Sequence, residues 1–253
     1  MNKLLVICGP TATGKTALAA GIAKQFNGEL VSADSRQVYR GNDLETNKER
    51  PDVPIWLYDV VDQGEEFSVA HWLKLARVAA GDILRRGKLP IVVGGSGLYI
   101  HALLHPLETV DIPPDENFRK RNLTLQELQH MTSRGSMNDS DWNNPRRLIR
   151  KIEIAKSTAK KHISLPYDAL IIGLTAPLPV LYKRIDDHLQ ERIRAGMNKE
   201  NIINEHAIAR KQLTWFKKQK GIHWFDVTDS KYRDKVAALV AAWYTTGAYV
   251  PED

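Results

Sequence analysis

The run Leu4–Cys8 followed by Gly9–Thr16 constrains the fold more than any other feature. Apolar residues lead directly into G-P-T-A-T-G-K-T, which has the pattern G-x-x-x-x-G-K-T. Such a loop works only with a strand before it and a helix after it. Its glycines let the backbone curl so that several N–H groups meet one anion, and the positive end of the following helix faces the same point. The apolar run supplies the strand, and a helical pattern over 15–26 supplies the helix. A phosphate site over Gly9, Thr11, Ala12, Thr13, Gly14, Lys15 and Thr16 is therefore expected. Lys15 would act as a point charge and the Thr16 hydroxyl as a ligand to Mg2+. The loop alone does not say that the phosphate belongs to a nucleotide.

Further short apolar runs predict strands at 30–33, 56–61, 90–93, 169–174 and 223–227. Helical patterns lie between several of them, at 69–86, 178–195 and 231–244. Alternation of this kind predicts an α/β fold, a P-loop-type parallel sheet with helices on both faces. Ligands of such sheets sit beyond the carboxyl ends of the strands. Residues 105–165 break the alternation. Thr124–Glu127 reads as a capping box, and Asn144 before Pro145 as an N-cap with proline in the first helical turn. The expected organisation is a core over 1–104 and 166–253, with a small helical insertion over 105–165.

In the helix that Asn144 starts, Leu148, Ile152 and Ala155 form one stripe, while Arg147, Arg150 and Lys151 share another side. Charge supports a basic insertion. Residues 117–161 carry eleven Lys/Arg against four Asp/Glu, and 207–222 carry five Lys/Arg and no acid, in a chain of net charge +6. Two basic segments on an otherwise acidic body point to a polyanionic partner. The single cysteine, Cys8, rules out an internal disulfide and reads as core packing. No apolar run approaches the ~20 residues of a membrane span, so a cytoplasmic protein is expected.

Three more stretches bear on chemistry. In "VSADSRQVYR" a strand delivers Asp34 beside the phosphate loop, where a carboxylate can take a proton from a nucleophile or hold Mg2+ through water. In "LPIVVGGSGLYI" the strand ends in Gly94-Gly95, not in the Mg2+-anchoring Asp usual in a motor ATPase or GTPase, and Ser96 offers a hydroxyl to a second phosphate. In "ARKQLTWFKKQKG" basic residues alternate with Trp215 and Phe216, a pattern that suits phosphates and stacked bases, or an amphipathic helix with Leu213 and Phe216 in the core. Asp186-Asp187-His188 reads as a solvated helix face. His101 and His105, at i and i+4, lack an evident third metal ligand.

GPTATGKT, SADSRQVYR, GGSGLYI, NPRRLIRKIEI and RKQLTWF occur in that order. Together they resemble the tRNA dimethylallyltransferase (tRNA isopentenyltransferase) family over nearly the whole chain. The resemblance implies transfer of a dimethylallyl group from dimethylallyl diphosphate to N6 of adenosine 37, beside the tRNA anticodon. It implies that Gly9–Thr16 holds the diphosphate and not ATP, and that Asp34 accepts the N6 proton. Ser96 and Arg119 match positions that meet tRNA or diphosphate. Asp34, Ser35, Arg36, Gln37, Arg146, Arg147, Arg150, Arg210, Lys211, Gln212, Trp215 and Lys217 fall in segments that match tRNA contacts. Partners would be the tRNA anticodon stem-loop and the prenyl donor, with the enzyme a monomer and no membrane involved. The family carries a longer segment where "ERIRAGM" here runs almost directly into "HAIARKQLTWF", so a compact variant is expected, shortened between Met197 and Ile208. Rival readings are a prenyltransferase acting on free adenylate and a P-loop small-molecule kinase.

Overall fold

The computed structural model describes residues 2–105, 112–157 and 167–246. Contacts divide the chain into two units, one of residues 1–105 with 165–253 and one of residues 106–164.

The first unit is built on a six-stranded sheet. Its strands are β1 (Asn2–Cys8), β2 (Gly28–Ser32), β3 (Ile55–Trp56), β4 (Leu89–Gly94), β5 (Tyr167–Thr175) and β6 (Ile222–Asp226), in the order β3-β2-β4-β1-β5-β6. Every pairing is parallel. The central strand β1 is apolar from Leu4 to Cys8 without alternation, and all five residues have no exposed surface. That is what a strand covered on both faces requires. Leu5 and Ile7 join one core cluster with Leu18, Ile22, Val236, Val240 and Trp243. These come from helices α1 (Lys15–Gln25) and, later in the chain, Tyr232–Thr246. Helix α2 (Val69–Arg85) begins with a capping box between Ser68 and His71 and buries Trp72, whose indole N–H donates to Ser32 O at 2.8 Å.

Two glycines let the carboxyl ends of the strands crowd together. A Cβ at Gly9 would stand 2.3 Å from Leu174 O, and one at Gly94 2.2 Å from Ala33 O. No side chain fits at either point, so the turns after β1, β2 and β4 meet at one edge.

The strand expected over 56–61 is corrected by the structure: β3 is only Ile55–Trp56. Leu57 and Asp59 take positive φ, 68° and 56°, and so leave the β region. Beyond them, Tyr39 and Val61 form an isolated bridge, and Val60 N donates to Val38 O at 2.8 Å.

The second unit is helical, with α3 (Gly97–Leu104) preceding it in the first unit. Its own helices are α4 (Glu116–Arg119), α5 (Leu125–His130), α6 (Asp139–Trp142) and α7 (Pro145–Lys156). Thr124 and Glu127 form the capping box, and the Asn144 side chain accepts from Arg146 N and Arg147 N ahead of Pro145. The core is small: Phe118, Leu128, Leu148 and Ile152. Ala155, expected on the same stripe, is exposed, and Glu153 is buried in the same helix. The chain then returns to the first unit through β5, α8 (Leu178–Arg194), α9 (Glu205–Lys217), β6 and α10 (Tyr232–Thr246).

Candidate active site

The phosphate loop has the curled backbone that its glycines suggest. Ala12 and Gly14 are left-handed, with φ 62° and 74°, while Thr11 and Thr13 between and before them are not. Alternating handedness turns successive N–H groups toward one side. Helix α1 starts with no side-chain cap and no acid in its first turn, so its first amides remain available to an anion. The loop is meanwhile closed on itself. Lys15 Nζ donates to Pro10 O at 2.7 Å, and Thr13 Oγ1 donates to the same carbonyl at 2.9 Å.

Lys15, Thr16, Thr11, Ala12 and Gly14 line one cavity with Asp34, Gln37, Gly94, Gly95 and Gln212. Its volume is about 100 Å³, and it opens to solvent. Burial pushes the Lys15 ammonium down to about 8, against the pull of Asp34, Cys8 and Glu49, which favour the charged form. A bound anion would restore the charge. The Cys8 thiol, beneath the loop, is pushed up to about 12 by burial, as suits an inert core residue.

Asp34 follows the end of β2. One of its oxygens, Oδ1, accepts from Arg36 N at 2.9 Å and from Gln37 N at 3.4 Å, which fixes the side chain as the cap of the next turn. Its Oδ2 carries no hydrogen bond among the described residues, and the carboxylate lines the cavity. Capping and availability are thus divided between the two oxygens. Ser96, ahead of α3, accepts from Ser35 N at 2.9 Å and reaches Ser35 Oγ at 3.3 Å. It braces the turn that carries Asp34 and is not among the cavity's lining residues. Arg36 donates to Glu45 O and borders a separate open cleft with Asn42 and Glu200.

Sequence reasoning missed part of the wall. Thr46, Asn47, Glu49 and Tyr58 line it, and so does His188. The expectation for His188 as a solvated face is therefore corrected, while Asp186 and Asp187 do pair at the surface with His206 and Lys183. Arg184 lies one turn before His188 and reaches Ala12 O at 3.5 Å, so that side of α8 faces the loop, which no local feature of the sequence marks. The wall segment itself is pinned from beneath. Lys48 is buried and pairs with Asp59 at 2.6 Å, and Arg192 donates to Leu44 O and Glu45 O and pairs with Glu205.

The residues of α9 divide by face. Phe216 is 2% exposed and Trp215 40%. Arg210 is exposed and donates to the Tyr182 hydroxyl at 2.9 Å, and Lys211 and Lys217 are exposed. Gln212 points inward to the loop.

In the second unit, the buried Glu153 gathers cations. Its Oε1 accepts from Arg119 Nε at 2.8 Å, and its Oε2 accepts from Arg150 Nη1 at 3.0 Å. Burial works to raise its pKa, but the hydrogen bonds from Arg119 and Arg150 outweigh this and hold the carboxyl below its usual range. Arg147 pairs with Asp141, and Lys151 donates to Ser133 O and Arg134 O. Arg146 is exposed, with no side-chain partner among the described residues.

Among the described residues no group of three or more His, Cys, Asp or Glu could hold a metal ion, and no helix is long and apolar enough to cross a membrane. His101 and His105 lie ring to ring at 4.6 Å, and burial lowers the pKa of His101.

Comparison with known proteins converges on one family. Residues 37–203 match the model of the family described as IPP transferase. A tRNA dimethylallyltransferase of Geobacillus thermodenitrificans is 35% identical, over 94% of this chain and 95% of its own length. Another, from Leuconostoc citreum, is 42% identical over 79% of this chain and 72% of its own. A full-length tRNA isopentenylpyrophosphate transferase structure from Bacillus halodurans is 32% identical with a TM-score of 0.69, covering 96% of each chain. A eukaryotic dimethylallyltransferase described as acting on tRNA shares the fold, with a TM-score of 0.75 at 22% identity. The alignment to the Geobacillus protein runs to 299 positions against the 253 residues present here, so the relative has residues with no counterpart in this chain.

Proposed function

The chain belongs to the tRNA dimethylallyltransferase (IPP transferase) family, and on that premise we propose that it moves a dimethylallyl group from dimethylallyl diphosphate to N6 of adenosine 37 of tRNA, releasing diphosphate. The observation that carries this reading is the meeting of Lys15, Thr16 and Asp34 on one solvent-open cavity.

An exocyclic adenine amine is a poor nucleophile, and the allylic C1 of the donor becomes a good electrophile once diphosphate can leave. The N6 lone pair forms the new bond to C1 as the C1–O bond breaks with its electron pair on the diphosphate. Charge on the leaving group grows along this path. Loop amides, the start of α1 and the Lys15 ammonium therefore help most at the transition state. Lys15 would exchange Pro10 O for a phosphate oxygen. The free Oδ2 of Asp34 would take the N6 proton, while Oδ1 stays with Arg36 and Gln37 and fixes the aim.

Mg2+ suits this donor set. The Thr16 hydroxyl and the Asp34 and Glu49 carboxylates are hard oxygens on the same cavity, and a hard cation that keeps several waters needs only one or two of them plus phosphate oxygens. When bound, the ion would neutralise charge on the diphosphate. The target base must leave the anticodon-loop stack to reach C1, which requires a side opening of the cavity. Exposed Arg146, Lys211 and Lys217 are candidates for tRNA phosphates.

Labelled dimethylallyl diphosphate offered in turn with tRNA and with AMP tests the reading. Label on tRNA alone supports it. Label on AMP alone assigns the chain to free nucleotides, and phosphate transfer from ATP assigns it to the kinases.

A further inference from the structure

Among the described residues, Gln212 of α9 reaches into the phosphate loop. Its Oε1 accepts from Thr11 N at 2.9 Å, and its Nε2 donates to Gly95 O at 3.1 Å. The amide orientation is fixed by its partners, since a backbone N–H can only donate and a carbonyl only accept. One amide thus bridges the loop after β1 and the turn after β4.

Helix α9 is seated tightly on that turn. A Cβ at Gly95 would stand 2.2 Å from Gln212 Nε2, and a Cβ at Gly97 would stand 2.1 Å from the Trp215 ring. Two glycines two apart on the turn receive two residues three apart on the helix. Other faces of α9 present exposed Arg210, Lys211 and Lys217. The same helix therefore holds a donor of the anion cradle with one face and offers cations to solvent with another. Packed, hydrogen-bonded contacts of this kind shift as a unit.

We propose that Gln212 is a positioning residue that couples the two substrate sites. It ties Thr11 N to Gly95 O and so holds the loop after β1 in place, and RNA docking on the cationic face of α9 tightens that hold. This rests on the proposed reading that α9 faces tRNA. By linkage the effect is mutual: RNA raises affinity for diphosphate, and diphosphate raises affinity for RNA by the same factor.

Calorimetric titration of pyrophosphate with Mg2+, with and without a saturating anticodon stem-loop RNA, tests it on the full chain. RNA binding is measured separately. In the wild type, RNA should tighten pyrophosphate about fivefold or more. Gln212→Met keeps the volume but neither hydrogen bond. It should weaken pyrophosphate alone about tenfold, raise the KM for the donor with kcat at saturation nearly unchanged, and bring the effect of RNA to about one. Should Gln212→Met not fold, Gln212→Glu keeps the acceptor for Thr11 and loses the donor to Gly95, and it should also lose the coupling. RNA that binds but leaves pyrophosphate affinity unaltered in the wild type overturns the proposal. So does coupling of equal size in wild type and variant. A wild type that binds pyrophosphate but no RNA overturns the reading beneath it.

Discussion

The phosphate-loop unit and the helical unit treat their polar groups in opposite ways. At the strand ends of the first, Asp34 keeps one oxygen free among the described residues, Thr16 faces the cavity and α1 begins without a side-chain cap. In the second, Arg119 and Arg150 converge on Glu153, and Arg147 is taken by Asp141. The first unit has a large core of sheet and helices on which to fix reactive groups, while the second has a small core around Phe118, Leu128, Leu148 and Ile152 and holds itself together partly with ions. Availability to a substrate depends less on residue type than on whether the fold has already satisfied the group.

The largest expected effect is at Asp34. Asp34→Asn keeps an acceptor for Arg36 and Gln37 but removes the base, and kcat should fall about a thousandfold with an unchanged melting temperature. A loss below tenfold would place the base elsewhere. Next is Glu153→Gln, which leaves two arginines around a neutral amide. Urea unfolding should register a loss of about 3 kcal/mol, while Lys15-dependent pyrophosphate binding persists. Equal damage to both would erase the contrast between the units.

The third effect is a pH dependence. Lys15 in the free protein loses its proton above about 8, and diphosphate favours the charged form. Pyrophosphate affinity should therefore hold below pH 8 and fall up to about tenfold per pH unit above it. Lys15→Arg should flatten the curve. The sign for stability is opposite: the depressed lysine costs stability below about 8, and the cost fades as pH rises toward the ordinary value of 10.5. The smallest effect is at Arg146. Arg146→Ala should weaken RNA binding a few-fold and lower the salt slope by about one, measured by titration at several salt concentrations. Arg150→Ala should instead lower stability.

Patterns carried by the backbone were legible in sequence. The apolar run before Gly9, the glycine pair at 94–95 and the Thr124–Glu127 box each specify local geometry, and each appears as read. What sequence hid was partnership between distant residues. Nothing in RKQLTWF says that Gln212 turns inward while its neighbour Lys211 faces solvent. Nothing local says that Arg119 meets Glu153, thirty-four residues on. The charged neighbours of His188 suggest solvent, whereas the helix period sets it beside Arg184 on the cavity. The false strand at 57–61 had β-like composition but two residues with positive φ, which no propensity reveals.

In the proposed reaction a diphosphate leaves from the loop while Asp34 receives a proton from adenine. Nucleoside mass analysis of tRNA, paired with an assay of released diphosphate, measures both ends of that event. Wild-type protein with Mg2+ and dimethylallyl diphosphate should add one dimethylallyl group to adenosine for each diphosphate freed, and Asp34→Asn should do neither. Unaltered tRNA from the wild type, or full modification by Asp34→Asn, would contradict it.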